Sequence, residues 1–302
     1  MAETDYSAIL VAPAKLNLSL TIRSRRPDGL HDLISLVCFL DLHDTLSISL
    51  SETEADHISV TGCFAAGLDG DNLVLKAISA FRDAVGYVPP LSITLHKAIP
   101  VAAGLGGGSA DAAAILRLLA KAHGRSATTS SIHAIAARLG ADIPVCLASR
   151  CRYVHGTGTS LDPEETGFST YPVLLVNPGI SVPTGSVFRA SATKPKSGRE
   201  YSGSQSLAED MFAGRNDLET PAIAVAPEIG PVLAALSDLP GTIGPRLSGS
   251  GATCFALFET EGERDLAERQ IRQHYPEYWI YAGKLKNWDF NSLLPETEAP
   301  LD

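Results

Sequence analysis

Residues Pro100 to Ala114 read PVAAGLGGGSADAAA, and four of the five positions from Gly104 to Gly108 are glycine. The preceding run, LSITLHK, puts Leu91, Ile93 and Leu95 on one face, which is the alternation of a strand. The small residues after the loop read as a helix over Ser109 to Ala122. Glycines let the backbone pass close to a ligand and turn several N–H groups toward it. The helix start adds a partial positive charge. A chain of phosphates is the natural occupant, and Gly104, Leu105, Gly106, Gly107, Gly108 and Ser109 are the candidate binders. The loop is neither of the two common phosphate loops. Walker A needs Lys and Ser or Thr after its last glycine, but Ser109 and Ala110 follow Gly108. The Rossmann fingerprint needs glycine where Ser109 stands. A tight turn packed beneath a helix is the non-functional alternative.

Three further segments carry residues able to do chemistry. In APAKLNLSL, Lys15 and Asn17 project from the same strand face. A lone lysine on a strand is usually a solvated edge charge, but Lys15 lies between Ala14 and Leu16 in an apolar run. In LGADIPV, Asp142 follows a helix stop and precedes Pro144, a position that favours an N-cap. In RLSGSGATCFALFE, the glycines suit a hairpin turn, a phosphate, or closure against the first loop.

The chain that positions these residues has 302 of them, room for two domains or one large one. At 45% hydrophobic it can bury a sizeable core. A net charge of −10 argues against a nucleic-acid partner. It also means that an anionic substrate must be held by local donors. No apolar run is long enough to cross a membrane, and the acidic start MAETDYSAIL lacks the features of a signal peptide. A cytoplasmic protein is expected. Cysteines at 38, 63, 146, 151 and 254, with no CxxC, read as reduced thiols. The scattered histidines give no metal-ligand spacing, so no protein-held metal is expected.

Residues 9 to 22 alternate as a strand, closed by the RRPDG turn, and TLSISL ends a second strand near Leu50. Helices are expected over 72 to 85 and 130 to 139, the latter stopped by Gly140. Pro172 to Asn177 reads as a buried strand, and 192 to 206 as a mobile polar loop. Beyond these, 218 to 236 is helical in part, 252 to 258 a strand, 261 to 274 a helix and 278 to 285 a strand, with a frayed tail from Pro295. Such mixed runs without strict βα alternation suggest α+β. We place the division between domains at residue 150, giving 1–150 and 151–302.

APAKLNL, PVAAGLGGGSADAAA, LGADIPV and LSGSGATCFALF, in that order, resemble the three signature regions of the GHMP small-molecule kinases. RPDGLHDL, GDNLVLKA, NPGISVPTGSVF and GRNDLE resemble a branch of that family whose alcohol substrate carries a cytidine diphosphate. The resemblance runs from about residue 8 to 286. It implies a two-domain α+β fold with the active site in the interdomain cleft, and ATP with magnesium carried mainly on its phosphates. Pro100 and Gly104 to Ser109 would wrap the phosphates, with Lys97, Asn72 and Leu73 on the adenine side. Asp142 would take the proton of the attacking hydroxyl, and Lys15 would stabilise charge beside it. Asn17, His31, Thr184 and Phe188 would bind the substrate, His31 at the cytosine edge and Phe188 on one face.

Two positions depart from the pattern. Leu30 stands where a tyrosine is usual, so cytosine would lie between Leu30 and Phe188, and Gly185 stands where proline is common. A monomer or weak homodimer is expected. Rival readings are a homoserine- or mevalonate-type kinase, a nucleotide sensor without catalysis, and a dinucleotide-binding oxidoreductase. The retention of Lys15 and Asp142 opposes the sensor, and the glycine pattern opposes the oxidoreductase.

Overall fold

The computed structural model describes residues 7–66, 68, 72–164, 170–191, 211–212, 214–289 and 293. Its backbone is a long hairpin, β1 (Ser7–Arg25) and β2 (His31–Leu50), paired antiparallel. The turn between them is held by the Arg26 N–H donating to Leu30 O and the Leu30 N–H donating to the Asp28 carboxylate. Strict alternation leaves one face of β1 polar and solvated. Instead every residue from Ala12 to Leu20 is buried. Irregularities in the ladder fall between Pro13 and Lys15 and between Asn17 and Ser19. Such bulges re-aim side chains and free backbone donors. The Lys15 N–H accordingly donates to Leu105 O, on the glycine loop, at 2.9 Å.

The first sheet is completed by β3 (His57–Thr61), β4 (Leu91–His96), β5 (Arg152–Gly156) and β6 (Ser160–Leu161), in the order β3-β4-β2-β5-β6 with β1 also on β2. Strands β5 and β6 thus carry this sheet past residue 150, because β5 pairs with Leu33 to Val37 of β2. Four helices cover it: α1 (Leu73–Ala84), α2 (Gly107–Ala122), α3 (Ser130–Leu139) and α4 (Ile143–Ala148). Phe39, Phe81, Ile93, Leu116 and Ile135 pack between sheet and helices.

The second sheet holds β7 (Pro172–Asn177), β8 (Ile243–Leu247), β9 (Cys254–Leu257) and β10 (Trp279–Lys284), ordered β10-β7-β9-β8. Strand β7 is buried on both faces, which explains its unbroken apolar run. Val173 and Leu175 face Leu16, Leu18 and Leu36 of the long hairpin. Leu174 and Val176 pack in the cluster that includes Val187 of α5 (Thr184–Ala190), Ala222 of α6 (Glu219–Val225), Ile229 of α7 (Ile229–Ser237) and Ile271 of α8 (Glu261–His274). Helix α8 opens on a capping box between Thr260 and Glu263.

Several expectations meet a different structure. Residues 34 to 40 lack alternation because β2 is buried on both faces there, so its first half was not legible as strand. Cys38 of β2 and Cys151, the residue before β5, are paired as a disulfide, where reduced thiols were expected; Cys63, Cys146 and Cys254 are free. The loop expected over 192 to 206 and the tail from Pro295 lie outside the described residues. Among those described, no helix is long and apolar enough to cross a membrane.

The central cluster joins the long hairpin to the second sheet, so Leu16→Ala should weaken both together. Urea unfolding should show a loss of about 2–5 kcal/mol in one transition. A loss below about 1 kcal/mol would mean that the halves do not share this core.

Candidate active site

A cavity of about 1140 Å³ opens between the glycine loop, the long hairpin, the start of α4, the turn after β5, α5 and the 247–251 loop. Lys15, Asn17, His31, Asn72, Leu73, Lys97, Pro100, Gly104, Gly106 to Ser109, Asp142, Thr184 and Phe188 all line it. Leu105 does not: its side chain is buried in the central core, and its contribution is the carbonyl that accepts from Lys15 N–H.

At one end Lys15 is almost fully buried, with its side chain 6% exposed. Its ammonium donates to Asn17 Oδ1 and lies 3.4 Å from Asp142 Oδ2. Asn17 in turn donates to Ser35 Oγ at 2.8 Å, which fixes the amide so that its oxygen faces the lysine. The capping role expected of Asp142 is corrected here. Asp142 holds the N-cap position of α4, but no backbone N–H donates to its carboxylate. The residue takes helical dihedrals there, and its side chain, 43% exposed, is left to the cavity and to Lys15.

Two glycines of the loop, Gly104 and Gly106, are required by this packing. Gly106 is the N-cap of α2 with φ of +66°, and a Cβ there would lie 2.7 Å from Lys15 Cγ. A Cβ on Gly104 would lie 2.3 Å from Ser248 O. Ser248 Oγ donates to Gly104 O at 3.0 Å, and Thr253 N–H donates to Ala103 O at 3.2 Å. Of the roles open to LSGSG, the fold adopts two: it is the hairpin turn between β8 and β9 and it closes against the first loop, and Gly249 and Ser250 reach the cavity as well. Asn216 of GRNDLE braces this second loop by donating to Leu247 O and Gly249 O.

Beneath the glycine loop lies a buried ion triad. Lys97 donates to Asp44 and, at 2.8 Å, to Asp111. Burial opposes the Lys97 charge, but the two carboxylates outweigh it and hold the ammonium above its ordinary value. Burial pushes Asp111 up to about 7, and the Asp44 charge adds to the rise while Lys97 opposes it. Asp44 also accepts from the Ala98 and Ile99 N–H groups at 2.7 and 2.9 Å. Lys97 is therefore not a surface charge at a strand end. Asn72, expected on the adenine side, also caps α1 by accepting from Val74 N–H.

At the other end, His31 and Phe188 are stacked, with ring centroids 5.1 Å apart. Leu30, 55% exposed, lines the same cavity. His31 Nε2 is buried without a hydrogen-bond partner. Burial, and then the charge of Arg25, lower the His31 pKa. Thr184 shares a hydroxyl–hydroxyl bond of 2.9 Å with Ser250, tying α5 to the second loop. Sequence reasoning missed Ser35, Asp44, Gly249 and Ser250. Asp44 gave no local signal because its partners, Lys97 and the Ala98 and Ile99 N–H groups, lie 53 to 55 residues further along the chain, whereas LSGSG was visible as a motif without roles for its members.

A glycine loop capped by a helix, facing a lysine–aspartate pair across a cleft between two α+β halves, defines a class. The chain belongs to the GHMP kinases: residues 72–150 match the GHMP kinases N terminal domain and residues 203–277 the GHMP kinases C terminal. Within that family it is 44% identical to the 4-diphosphocytidyl-2-C-methyl-D-erythritol kinase of Novosphingobium aromaticivorans, over 91% of this chain and 92% of the relative. It is 41% identical to the kinase of the same name from Paramagnetospirillum magneticum, over 93% and 99%. A crystal structure of 4-(cytidine 5'-diphospho)-2C-methyl-D-erythritol kinase superposes with a TM-score of 0.72 at 33% identity, covering 93% of this chain and all of that one. A homoserine kinase from Cytophaga hutchinsonii, 16% identical over 95% of this chain and 97% of its own, shares the fold with a TM-score of 0.70.

Two substitutions test this packing. Gly106→Ala should lose about 1–3 kcal/mol in urea unfolding, through its left-handed φ and the Lys15 contact. Gly108→Ala, where a Cβ meets nothing within 4 Å, should be neutral or stabilising. Equal losses would contradict the assignment of Gly106. The triad predicts a pH effect of definite sign. With its pKa raised in the fold, Asp111 binds more protons folded than unfolded from near pH 4 to about pH 7. Its contribution to stability is full below that window and is lost as pH rises through it. Asp111→Asn should therefore gain stability relative to the parent between those limits, and a difference independent of pH would contradict the raised pKa.

Proposed function

We propose that this chain transfers the γ-phosphate of ATP to the 2-hydroxyl of 4-diphosphocytidyl-2-C-methyl-D-erythritol, a step in non-mevalonate isoprenoid precursor synthesis. The observation that carries this is one cavity with two different ends: the Lys15–Asp142 pair beside a glycine loop, and the unpartnered His31 nitrogen under Phe188. A simple alcohol kinase has no use for the second end. The names and identities of the relatives support the same substrate.

Phosphoryl transfer needs positioning and neutralised charge more than covalent help. The ATP phosphates lie along Gly104 to Ser109, where backbone N–H groups and the α2 start face them. The acceptor hydroxyl lies between Asp142 and Lys15. Asp142 accepts its proton as the oxygen attacks phosphorus, and the Lys15 ammonium offsets the charge that develops there. Asn17 holds that ammonium in place. At the far end, a cytosine reaches His31 Nε2 when the Phe188 ring leaves the imidazole and stacks on the base instead. Thr184 supports the substrate from the second half. Asn72, Leu73, Lys97 and Pro100 border the adenine and phosphates.

Magnesium comes and leaves on the ATP phosphates. Among the described residues no three metal-ligating side chains converge, and the Asp111 carboxylate beside the loop is engaged by Lys97. No step above depends on a protein-held ion. A monomer or weak homodimer working in the cytoplasm is the setting proposed with this reading.

The test is ADP release with Mg-ATP and this cytidine compound, with homoserine and mevalonate as parallel acceptors. Turnover with the cytidine compound alone is expected, and turnover with either simple alcohol instead would overturn the substrate. Asp142→Ala should cut kcat by about a hundredfold or more and leave ATP affinity within about twofold. Retention of more than about a tenth of kcat would remove Asp142 from the proton-accepting role.

A further inference from the structure

Four side chains of permanent positive charge line the cavity: Lys15, Arg25, Lys97 and Arg189. Two of them are already neutralised. Lys15 lies against Asp142, and Lys97 is bound by Asp44 and Asp111. Arg25 and Arg189 are not. Arg25 makes no hydrogen bond or ion pair with another side chain among the described residues, whereas its neighbour Arg26 pairs with Asp28 and Asp32. Among the described residues Arg189 donates only to the neutral Ser186 hydroxyl, at 2.9 Å.

Both arginines sit at the same end. Arg25 is the last residue of β1 and the direct cross-strand partner of His31, the first residue of β2. It is near enough for its charge to act on the imidazole. Arg189 follows Phe188 on α5, and the Phe188 ring is stacked on that same imidazole. The two arginines therefore reach the His31–Phe188 end of the cavity from different elements. The acidic residues that line the cavity, Asp111 and Asp142, belong to the glycine-loop end, so nothing acidic in the lining competes for the arginines.

We propose that Arg25 and Arg189 grip the diphosphate of the nucleotide substrate and set the preference for a nucleoside diphosphate over a bare nucleoside. The inference rests on the cytidine reading of the His31 end. A protein of net charge −10 does not attract a dianion by its overall field, so the affinity must come from local donors. Guanidinium suits a diphosphate because it stays charged and its fork matches two phosphate oxygens. The glycine loop is taken by ATP, and both lysines are ion-paired, which leaves the arginines as the free cations for the second phosphate group.

The test is calorimetric binding of cytidine, CMP and CDP to the full chain and to Arg25→Gln, Arg189→Gln and the double variant. The parent should bind CDP about tenfold or more tighter than cytidine, with a preference that shrinks as salt rises. Each single variant should lose part of that preference. The double variant should bind CDP and cytidine within about threefold of each other, at any salt, with cytidine and ATP affinities unchanged. Arg25→Lys should keep part of the preference, since the charge remains while the fork is lost. An unchanged CDP-to-cytidine ratio in the double variant would overturn the arginine assignment alone. So would an equal loss for both ligands, which would make the contact one to the base. A parent that binds none of the three cytidine compounds would overturn the cytidine reading, and the proposal with it.

Discussion

The buried ammonium of Lys15 is the constraint around which the site is built. A charge so far from water is tolerated only with a partner and hydrogen bonds. Asn17 and Asp142 supply them from the hairpin and from the start of α4. The stem of the lysine then needs room, and two glycines provide it from opposite halves of the molecule. A Cβ on Gly106 would strike Lys15 Cγ, and one on Gly249 would lie 3.4 Å from its ammonium. The two loops that bring these glycines in are locked to each other through Ser248 and Gly104. Glycine density in both motifs thus has a steric cause before any ligand arrives.

Charge is distributed along the cavity by the same logic. At the glycine-loop end both lysines are held by carboxylates, so in the proposed reaction the phosphates of ATP would meet chiefly backbone N–H groups and a helix start. That arrangement keeps donors fixed without a field strong enough to hold the product. The Lys97 triad stiffens the floor of this end, because Asp44 also ties the 97–99 backbone. The opposite end is apolar and aromatic around the His31 imidazole, and the arginines that line it, Arg25 and Arg189, have no acidic partner among the described residues. One cavity thus offers two chemistries, one at each end.

Much of this was legible in the sequence, and the limits have physical reasons. Elements with one wet face, such as Leu91 to His96 and Ser130 to Leu139, show their period and fall at the expected residues. The first half of β2 does not, since burial on both faces erases alternation. Lys15 and Asn17 were visible as polar residues in an apolar run, although the bulges that aim them were not. Asp142 illustrates a rule applied to the right place with the wrong outcome. It does occupy a helix start, but α4 is short and the carboxylate turns to the lysine instead of the backbone. Asp44 acts through Lys97, 53 residues on, and Ser35 through Asn17 across the hairpin, so no local spacing could mark them. The Leu30 position drew attention as a missing ring, whereas the structure puts the aromatic contact between His31 and Phe188.

The central claim is that Lys15 and Asp142 work as a single device, one accepting the proton and the other offsetting the charge formed in the same event. A double-mutant cycle on kcat tests it most directly, with Lys15→Met, Asp142→Ala and the pair, each first shown to fold and to bind ATP. Groups that act as a unit are not additive, so the double variant should be no slower than the slower single variant, within about threefold. If instead the two losses multiply, the residues act on separate steps, and the shared device at the base of the cleft does not exist.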